Sequence, residues 1–146
     1  EGKDMTVPEN AVDLAMTFEG FSAKAYICPA GFFTIGYGHL CKKDQPPITR
    51  EQGEIWLARD LQDALQGTIR ICPVLLLTVP ETWIGAIVDF VFNLGAGRLQ
   101  SSTLRRRINA EEWDDVPYEL SRWVYGGGKK LRGLVLRREA ESAFFN

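Results

Sequence analysis

The sequence is short of residues on which several classes of protein depend. Its three cysteines cannot all pair within one chain and show no Cys-x-x-Cys spacing, so a disulfide framework is not expected. The apolar stretches 74–79 and 83–94 fall short of the roughly 20 residues of a transmembrane helix. No low-complexity tract is present, which argues against disorder.

What remains fits one folded domain. The chain has 146 residues, of which 45% are hydrophobic and 25% charged, and both fractions are ordinary for a globular protein. It begins at Glu1 rather than at methionine, so we expect the natural start to have been processed, truncated or replaced.

The net charge of −2 is unevenly distributed along the chain. Residues 1–97 carry 7 Lys/Arg and 12 Asp/Glu, a net charge of −5, whereas residues 98–146 carry 10 and 7, a net charge of +3. A basic second half suits an anionic polymer such as a cell wall or a nucleic acid. A solvated helix face explains the same charges equally well, so charge alone does not identify a partner.

The first helix carries the most informative carboxyl group. The letters TVPE at residues 6–9 predict a threonine cap followed by proline in the first turn, and a helix over residues 7–19 that stops at Gly20. Glu19 then lies at the carboxyl end of this helix. The helix dipole disfavours a second negative charge there and favours the protonated carboxyl group.

Similar start signals predict the remaining helices. The letters TREQ at residues 49–52 form a capping box before a long amphipathic helix, and TVPE recurs at residues 78–81 before the apolar segment 83–94. Further helices are predicted over residues 102–108, 111–124, with Pro117 in the first turn or at a break, and 131–144.

Between the first two helices the pattern indicates a small β-sheet. Residues 24–40 combine aromatic and β-branched residues with glycine and proline, which is typical of short strands and tight turns. Alternation would place Phe33, Ile35 and Tyr37 on one face and leave Thr34 on the other, towards Glu19.

The predicted fold class is α+β with two lobes flanking a cleft. We expect a single domain over residues 1–146, with a β-rich lobe at about 20–48, a connecting helix at about 49–72, a helical lobe at about 73–146, and the helix 7–19 packed between the lobes.

Two linked motifs identify a family. The stretches FEGFSAKAY at residues 18–26 and GFFTIGYGH at residues 31–39 resemble the phage lysozyme family, to which the T4-type lysozymes belong. In that family the glutamate is followed at set intervals by aspartate or cysteine and then by threonine, positions held here by Glu19, Cys28 and Thr34. Later landmarks, NLG at 93–95, STL at 102–104, RWV at 122–124 and GLV at 133–135 followed by two arginines, occur in the expected order.

The resemblance implies a lysozyme fold that hydrolyses the β-1,4 bond between N-acetylmuramic acid and N-acetylglucosamine without metal or cofactor. Such cleavage needs an acid that protonates the departing sugar oxygen, and Glu19 is the candidate. Cys28 and Thr34 would place or activate the attacking water. Because an ordinary thiol is only about 3% thiolate at pH 7, Cys28 supplies less charge than the aspartate more usual at this position. The alternatives are that Cys28 forms a covalent sulfur intermediate or that its thiol merely packs the sheet.

The single histidine opens other interpretations. Cys28 and His39 could serve a Cys/His peptidase or amidase, although such enzymes rarely place both residues in one hairpin region. Cys28, His39 and Cys41 could offer zinc ligands, but their spacing matches no common zinc site. We expect His39 to tie the sheet to the helical lobe or to hydrogen-bond near Glu19, and Tyr37 to contact the sugar or to fill the core.

Residues of the second half complete the predicted site. Phe92 and Asn93 resemble family positions that contact the sugar, with helix capping and packing as the alternative. Trp113 and Trp123 are expected in the core. Five arginines are predicted to be solvated helix charges rather than groups that grip the wall: Arg105, Arg106, Arg107, Arg137 and Arg138.

The leading hypothesis is an endolysin that breaks the host wall at the end of phage infection. The alternatives are a non-catalytic wall-binding or structural domain and a transglycosylase on a related fold. The expected partner is the peptidoglycan glycan strand, with no nucleic acid and no stable membrane association, and the expected state is a monomer. We expect synthesis in the host cytoplasm and action in the periplasm. Export through a holin and export by a lost N-terminal signal anchor are both open alternatives.

Overall fold

The structure is a computed structural model that describes residues 5–146, and its elements confirm the α+β class predicted from the sequence. The helices are α1 (Glu9–Glu19), α2 (Arg50–Ile71), α3 (Glu81–Leu94), α4 (Ala96–Gln100), α5 (Thr103–Asn109), α6 (Val116–Ser121) and α7 (Arg132–Ser142). The strands are β1 (Ser22–Ile27), β2 (Phe33–Gly36), β3 (His39–Leu40), β4 (Tyr125–Gly126) and β5 (Lys129–Lys130). Short 3₁₀ turns cover Pro73–Leu76, Trp113–Asp115 and Ala143–Phe145.

The starts of α1 and α3 differ from the predicted capping boxes. Pro8 and Pro80 are the N-cap residues, and neither helix has a side-chain cap. A cap at Thr6 would require Val7 to be helical directly before a proline, and the proline ring disfavours that conformation. The proline-free start of α2 does have its predicted cap, because the backbone amide of Gln52 donates to the hydroxyl of Thr49 at 3.1 Å.

The three-stranded sheet has two different faces. It is antiparallel in the order β1-β2-β3, and Thr34 lies opposite both Tyr26 and Leu40. Paired residues share a face, so these three side chains stand on one side. Ile35, on the other side, is fully buried. The sheet therefore packs the face of Ile35 inwards, whereas the other face carries the buried Thr34 between the exposed side chains of Tyr26 and Leu40.

The long helix α2 connects this sheet to the other helices. Its buried residues, which include Leu57, Leu61 and Leu65, recur at helical spacing and join the main hydrophobic core. α2 contacts β2 and β3 near its start and packs against α3 and α4 further along. It thereby fixes the sheet relative to the helical part of the molecule.

α3 is the centre of the helical part. Eight of its residues are buried, and it packs against α1, α2 and α7. Trp113 and Trp123 are partly buried against this core, where Trp113 lies 4.9 Å from Trp83 and Trp123 lies edge-on to Phe90. The predicted core placement of both tryptophans is confirmed. Within residues 5–146, no helix combines the length and the apolar character needed to cross a membrane.

The helix predicted over residues 111–124 is shorter than expected. Glu111 has a left-handed φ of 58°, which ends the preceding helical path, and a 3₁₀ turn leads into α6. Pro117 lies in the first turn of α6, as predicted, and the helix ends at Ser121. Residues 122–124 lead into the β4–β5 hairpin, which begins at Tyr125.

Candidate active site

Glu19 is the last residue of α1, as predicted. The amide of Gly20 donates to the carbonyl of Met16 at 3.1 Å, and Gly20 turns the chain away with a φ of 66°. The Glu19 side chain is 19% exposed. A partly buried carboxyl group that remains accessible can meet a substrate while being held by the protein.

Gly38 determines how closely the chain passes Glu19. A Cβ atom on Gly38 would lie 2.8 Å from both Cδ and Oε1 of Glu19, a distance at which one group has to move. Gly38 also has a φ of 77°, in the left-handed region that side chains disfavour. The turn between β2 and β3 therefore packs directly against the carboxyl group.

Exchanging Gly38 for alanine is expected to displace Glu19 and to lower kcat by about 100-fold, since a shift of about 1 Å at a reacting group has that effect. Gly128→Ala is the matched control, because Gly128 has a φ of 80° with nothing within 4 Å of its added Cβ. Both variants should lose similar backbone stability, of about 1 to 2 kcal/mol. Equal kcat values in the two variants would refute a positioning role for Gly38.

Arg137 holds Glu19 from the opposite side. Its Nη1 donates to Oε2 of Glu19 at 2.7 Å, and its Nε and Nη2 donate to the two oxygens of Asp89 at 2.9 and 2.7 Å. Burial opposes the charge of Arg137, but the bonds to Asp89 outweigh it and raise the pKa of the guanidinium above its usual value. The cation that reaches Glu19 is thus already paired with an anion.

The prediction that Arg137 and Arg138 are solvated is wrong. Arg137 is 4% exposed and Arg138 is 1% exposed. Arg137 bonds to Glu19 of α1 and Asp89 of α3, and Arg138 bonds to Asn93 of α3 and Glu141 of α7. The available signal was Asp89, a lone acid within the apolar segment 83–94, which requires a buried cationic partner. Of the other three predicted charges, only Arg106 is exposed, while Arg105 and Arg107 are half-buried.

Cys28 and Thr34 meet on the sheet, as predicted. Thr34 is almost fully buried, and its hydroxyl donates to the carbonyl of Phe32 at 3.0 Å. Burial raises the pKa of the Cys28 thiol, but the hydrogen bonds around its sulfur, of which the one with the Phe32 backbone contributes most, together outweigh burial, so the pKa is lowered from its ordinary value. The turn after β1 therefore favours the thiolate.

Tyr26 belongs to the same face but was not singled out from the sequence. It lies opposite Thr34 in the sheet and two residues before Cys28, and its ring is 37% exposed. Burial, then the charges of Glu19 and Cys28, raise the pKa of its phenol. Because the pairing of β1 is irregular between Ser22 and Tyr26, simple alternation along the sequence could not have indicated this residue.

The two remaining predicted residues of the hairpin region have structural partners. Tyr37 is only 4% exposed, packs on Phe21 and accepts a hydrogen bond from Arg50 at 3.2 Å, so the core alternative fits and a sugar contact does not. The Nδ1 atom of His39 lies 2.8 Å from Asp60.

His39 therefore ties the sheet to the connecting helix rather than to the helical lobe. Its ring also packs on Trp56 of the same helix. Since its Nδ1 bonds to Asp60, the predicted contact near Glu19 is not what the structure shows. Within residues 5–146, His, Cys, Asp and Glu side chains form no group of three that could hold a metal ion.

Phe92 and Asn93 lie beside the arginine pair. The Phe92 ring is 5.9 Å from the guanidinium of Arg137, and Oδ1 of Asn93 accepts a hydrogen bond from Arg138 at 2.8 Å. Both residues are half-buried. Part of each side chain therefore contacts a buried arginine, and the rest is exposed near Arg137, the hydrogen-bond partner of Glu19.

Comparisons with known proteins agree with this arrangement. The family described as Phage lysozyme matches residues 16–141. The endolysin of Bacillus phage B103 is 34% identical over 145 residues, which cover 97% of this chain and 54% of that protein. The chain thus spans about half the length of that relative. The SAR-endolysin of Bacteriophage PS119 is 37% identical over 123 residues, covering 84% of this chain and 73% of that protein.

A solved structure extends the likeness to the fold. The muramidase domain of SpmX from Asticaccaulis excentricus superposes with a TM-score of 0.83 at 25% identity, and the alignment covers 96% of this chain and 97% of that one. The matched family spans Glu19, Cys28, Thr34 and both buried arginines. The chain belongs to the phage lysozyme family.

Proposed function

We propose that the protein is an endolysin with muramidase activity, which hydrolyses the β-1,4 bond between N-acetylmuramic acid and N-acetylglucosamine in bacterial peptidoglycan. The observation that carries the proposal is the placement of Glu19, an accessible carboxyl group at a helix end, fixed between Gly38 and Arg137. Endolysin relatives and the similarity to a muramidase domain support it.

Glu19 acts as the proton donor. Its Oε2 atom takes the hydrogen bond from Arg137, while Oε1 lies on the side of Gly38 and carries the proton to the glycosidic oxygen. Arg137, which fixes Oε2, is itself held in place by its two hydrogen bonds to Asp89. As the glycosidic bond breaks, positive charge develops on the sugar ring. Protonation of the departing oxygen by Glu19 promotes this step.

Cys28 and Thr34 position the attacking water. The Thr34 hydroxyl is anchored to the sheet backbone, and the lowered pKa of Cys28 gives the water a partly anionic acceptor. This assignment makes the thiol a functional substitute for a carboxylate. Tyr26 stands on the same face of the sheet, directly opposite Thr34 and two residues before Cys28.

Alkylation of Cys28 is expected to lower activity strongly, and Cys28→Asp is expected to retain it. Cys28 should react with iodoacetamide at pH 7 before Cys41, whose pKa is raised by burial, and before Cys72, whose burial raises the pKa to about 11. The reactive species is the thiolate, so a lower pKa makes it available at lower pH. Peptide mass spectrometry gives the order of labelling, and full activity after complete labelling of Cys28 would assign the thiol to packing.

The reaction itself is tested on purified peptidoglycan. Mass spectrometry of the released muropeptides should show reducing N-acetylmuramic acid ends, and digestion with Glu19→Gln in place of the wild type should release none. Anhydro-sugar ends would identify a transglycosylase instead. No release by folded wild-type protein would favour the non-catalytic wall-binding domain.

The site of action follows from the substrate. We propose that the protein is made in the cytoplasm of the host bacterium and reaches the wall in the periplasm as a monomer.

A further inference from the structure

Phe32 is the only phenylalanine within residues 5–146 whose side chain is exposed. Its ring is 60% exposed and does not join the hydrophobic core of this part of the chain, whereas the ring of the next residue, Phe33, is half-buried. Water gains no hydrogen bond from a phenylalanine side chain, so the ring favours an apolar contact. The proposed mechanism uses the backbone carbonyl of Phe32 to anchor Thr34 and gives the ring no role.

The turn between β1 and β2 places Phe32 directly opposite Cys28. The amide of Gly31 donates to the carbonyl of Cys28 at 2.8 Å, and Gly31 has a left-handed φ of 91°. The amide of Cys28 then donates to the carbonyl of Phe32 at 2.9 Å. These bonds describe a three-residue hairpin turn with a glycine bulge, which Cys28 and Phe32 close as a pair. The Cβ atoms of such a pair are about 5 Å apart on one face of the sheet.

That face is the one that carries Thr34. Alternate residues of a strand share a face, so Phe32 stands with Thr34, whereas Phe33 stands with the fully buried Ile35 on the inner face. Two residues on one face of a strand are about 7 Å apart. The exposed ring therefore lies beside both groups that the mechanism assigns to the attacking water, Cys28 and Thr34.

A sugar ring is the ligand that this placement fits. One side of a pyranose presents C–H groups that pack on an aromatic ring, while its hydroxyl groups remain free to form hydrogen bonds. A water held by Cys28 and Thr34 has to reach the anomeric carbon of a bound sugar, so a sugar must lie next to Phe32. The ring has no charge and no hydrogen-bonding group, and it does not suit the carboxylates of the peptide stems.

We propose that Phe32 is a substrate-binding residue, whose ring packs on the apolar side of a sugar of the glycan strand next to the cleaved bond. The identity of the glycan rests on the proposed muramidase function. The ring takes no part in proton transfer, so its loss should weaken binding of the glycan more than it slows bond cleavage.

The first experiment measures glycan binding without hydrolysis. Glu19→Gln is the parent, and the probe is a peptide-free oligomer of alternating N-acetylglucosamine and N-acetylmuramic acid, titrated by calorimetry. Adding Phe32→Ala should raise Kd by about tenfold, which is the usual scale for one lost apolar contact in a binding site. Adding Phe32→Tyr, which keeps the flat ring, should leave Kd within about twofold of the parent.

The matched control is Ile27→Ala in the same parent. Ile27 precedes Cys28 in β1 and is 62% exposed, but it pairs with Phe33 on the other face of the sheet. Its loss should leave Kd within about twofold. The melting temperatures of both alanine variants should stay within about 2 °C of the parent, because the exposed side chains contribute little to folding.

The binding results judge the inference whether or not the protein cleaves peptidoglycan. A raised Kd for Phe32→Ala alone supports the contact even if the wild type proves to be a non-catalytic wall-binding domain. Equal Kd values for Phe32→Ala and the parent, equal losses in Phe32→Ala and Ile27→Ala, or no binding by the parent would each overturn it.

The second experiment separates the sugar from the peptide stem. Steady-state kinetics compare intact glycan strands with strands from which an amidase has removed the peptides. Phe32→Ala in the otherwise wild-type protein should raise KM by about tenfold on both substrates, with kcat within about twofold. A loss confined to the peptide-bearing strands would show that the ring contacts the peptide. A fall in kcat at unchanged KM would show that the ring acts on the reaction rather than on binding, and either result would overturn the inference.

Discussion

Glu19→Gln is expected to lower kcat by about 1,000-fold, within the range that a general acid contributes. The glutamine oxygen can still accept the hydrogen bond from Arg137 at the position where Oε2 lies 2.7 Å away. The amide nitrogen on the other side has no acidic proton to give to the glycosidic oxygen. KM should change little, because the shape of the side chain is kept. The rate of turbidity loss of permeabilised Gram-negative cells, together with kcat on soluble glycan fragments, measures the effect.

Glu9→Gln provides the control for this experiment. Glu9 is an exposed acid at the opposite end of the same helix α1, so its change tests for indirect effects on the helix. It should cost no more than about 1 kcal/mol of stability and leave kcat unchanged. If Glu19→Gln cleared cells as fast as the wild type, Glu19 would not be the acid.

Arg137→Met is expected to destabilise the protein by about 3 to 5 kcal/mol, which is the usual cost of removing one partner from a buried ion pair. Methionine fills part of the space of the arginine stem but leaves the fully buried Asp89 without its two hydrogen bonds. Glu19 loses its partner as well. Denaturant unfolding at pH 7 measures the loss. Arg132→Met, at an exposed position in the first turn of α7, should stay within about 0.5 kcal/mol of the wild type.

The pH dependence of this loss identifies its cause. The pKa of Asp89 is lowered in the folded wild type, so the stability that Asp89 contributes is present above its unfolded pKa of about 3.9 and is lost as the pH falls further. The difference in the free energy of unfolding between Arg137→Met and the wild type should therefore become smaller at acid pH. Adding Asp89→Asn to Arg137→Met should recover part of the stability at pH 7. A loss below about 1 kcal/mol, or one independent of pH, would show that Arg137 acts by packing alone.

Local chemistry predicted most element boundaries. Helix α2 begins at the predicted cap Thr49, and α1 ends at the predicted Gly20. The two TVPE tetrads were interpreted with the same capping rule and gave the wrong cap. A proline ring acts on the residue before it, so the backbone of Val7 and Val79 overrides the preference of threonine for the cap position.

Asp89 indicated that a buried cation exists, but nothing in the sequence of α7 showed that Arg137 and Arg138 are the buried residues. Arg137 and Arg138 stand in a helix whose letters are mostly polar, and helical spacing gave no reason to bury them. Their burial depends on where α7 packs against α3, which is a tertiary property. For Tyr37, the sequence left open a sugar contact or a place in the core. β2 ends at Gly36, and the side chain of the next residue packs in the core beside Phe21.

The sequence predicted those parts of the candidate site whose residues lie close together in the chain. Cys28 and Thr34 are brought together by one hairpin, so their spacing was informative. Tyr26 lies on the same face but has an ordinary pattern of strand residues around it. The position of Tyr26 relative to Glu19 depends on the angle between α1 and the sheet, and no pattern in a single sequence shows that angle.

The bond between Arg137 and Glu19 joins residues 118 positions apart in the chain. Ribosomes deliver a polypeptide from its amino end, so the first helix emerges long before the last one is available to meet it. A partially translated chain therefore has its acid but lacks the group that orients it. The proposed wall-degrading activity is therefore expected to appear only when α7 has been synthesised and has docked, well after α1 has emerged.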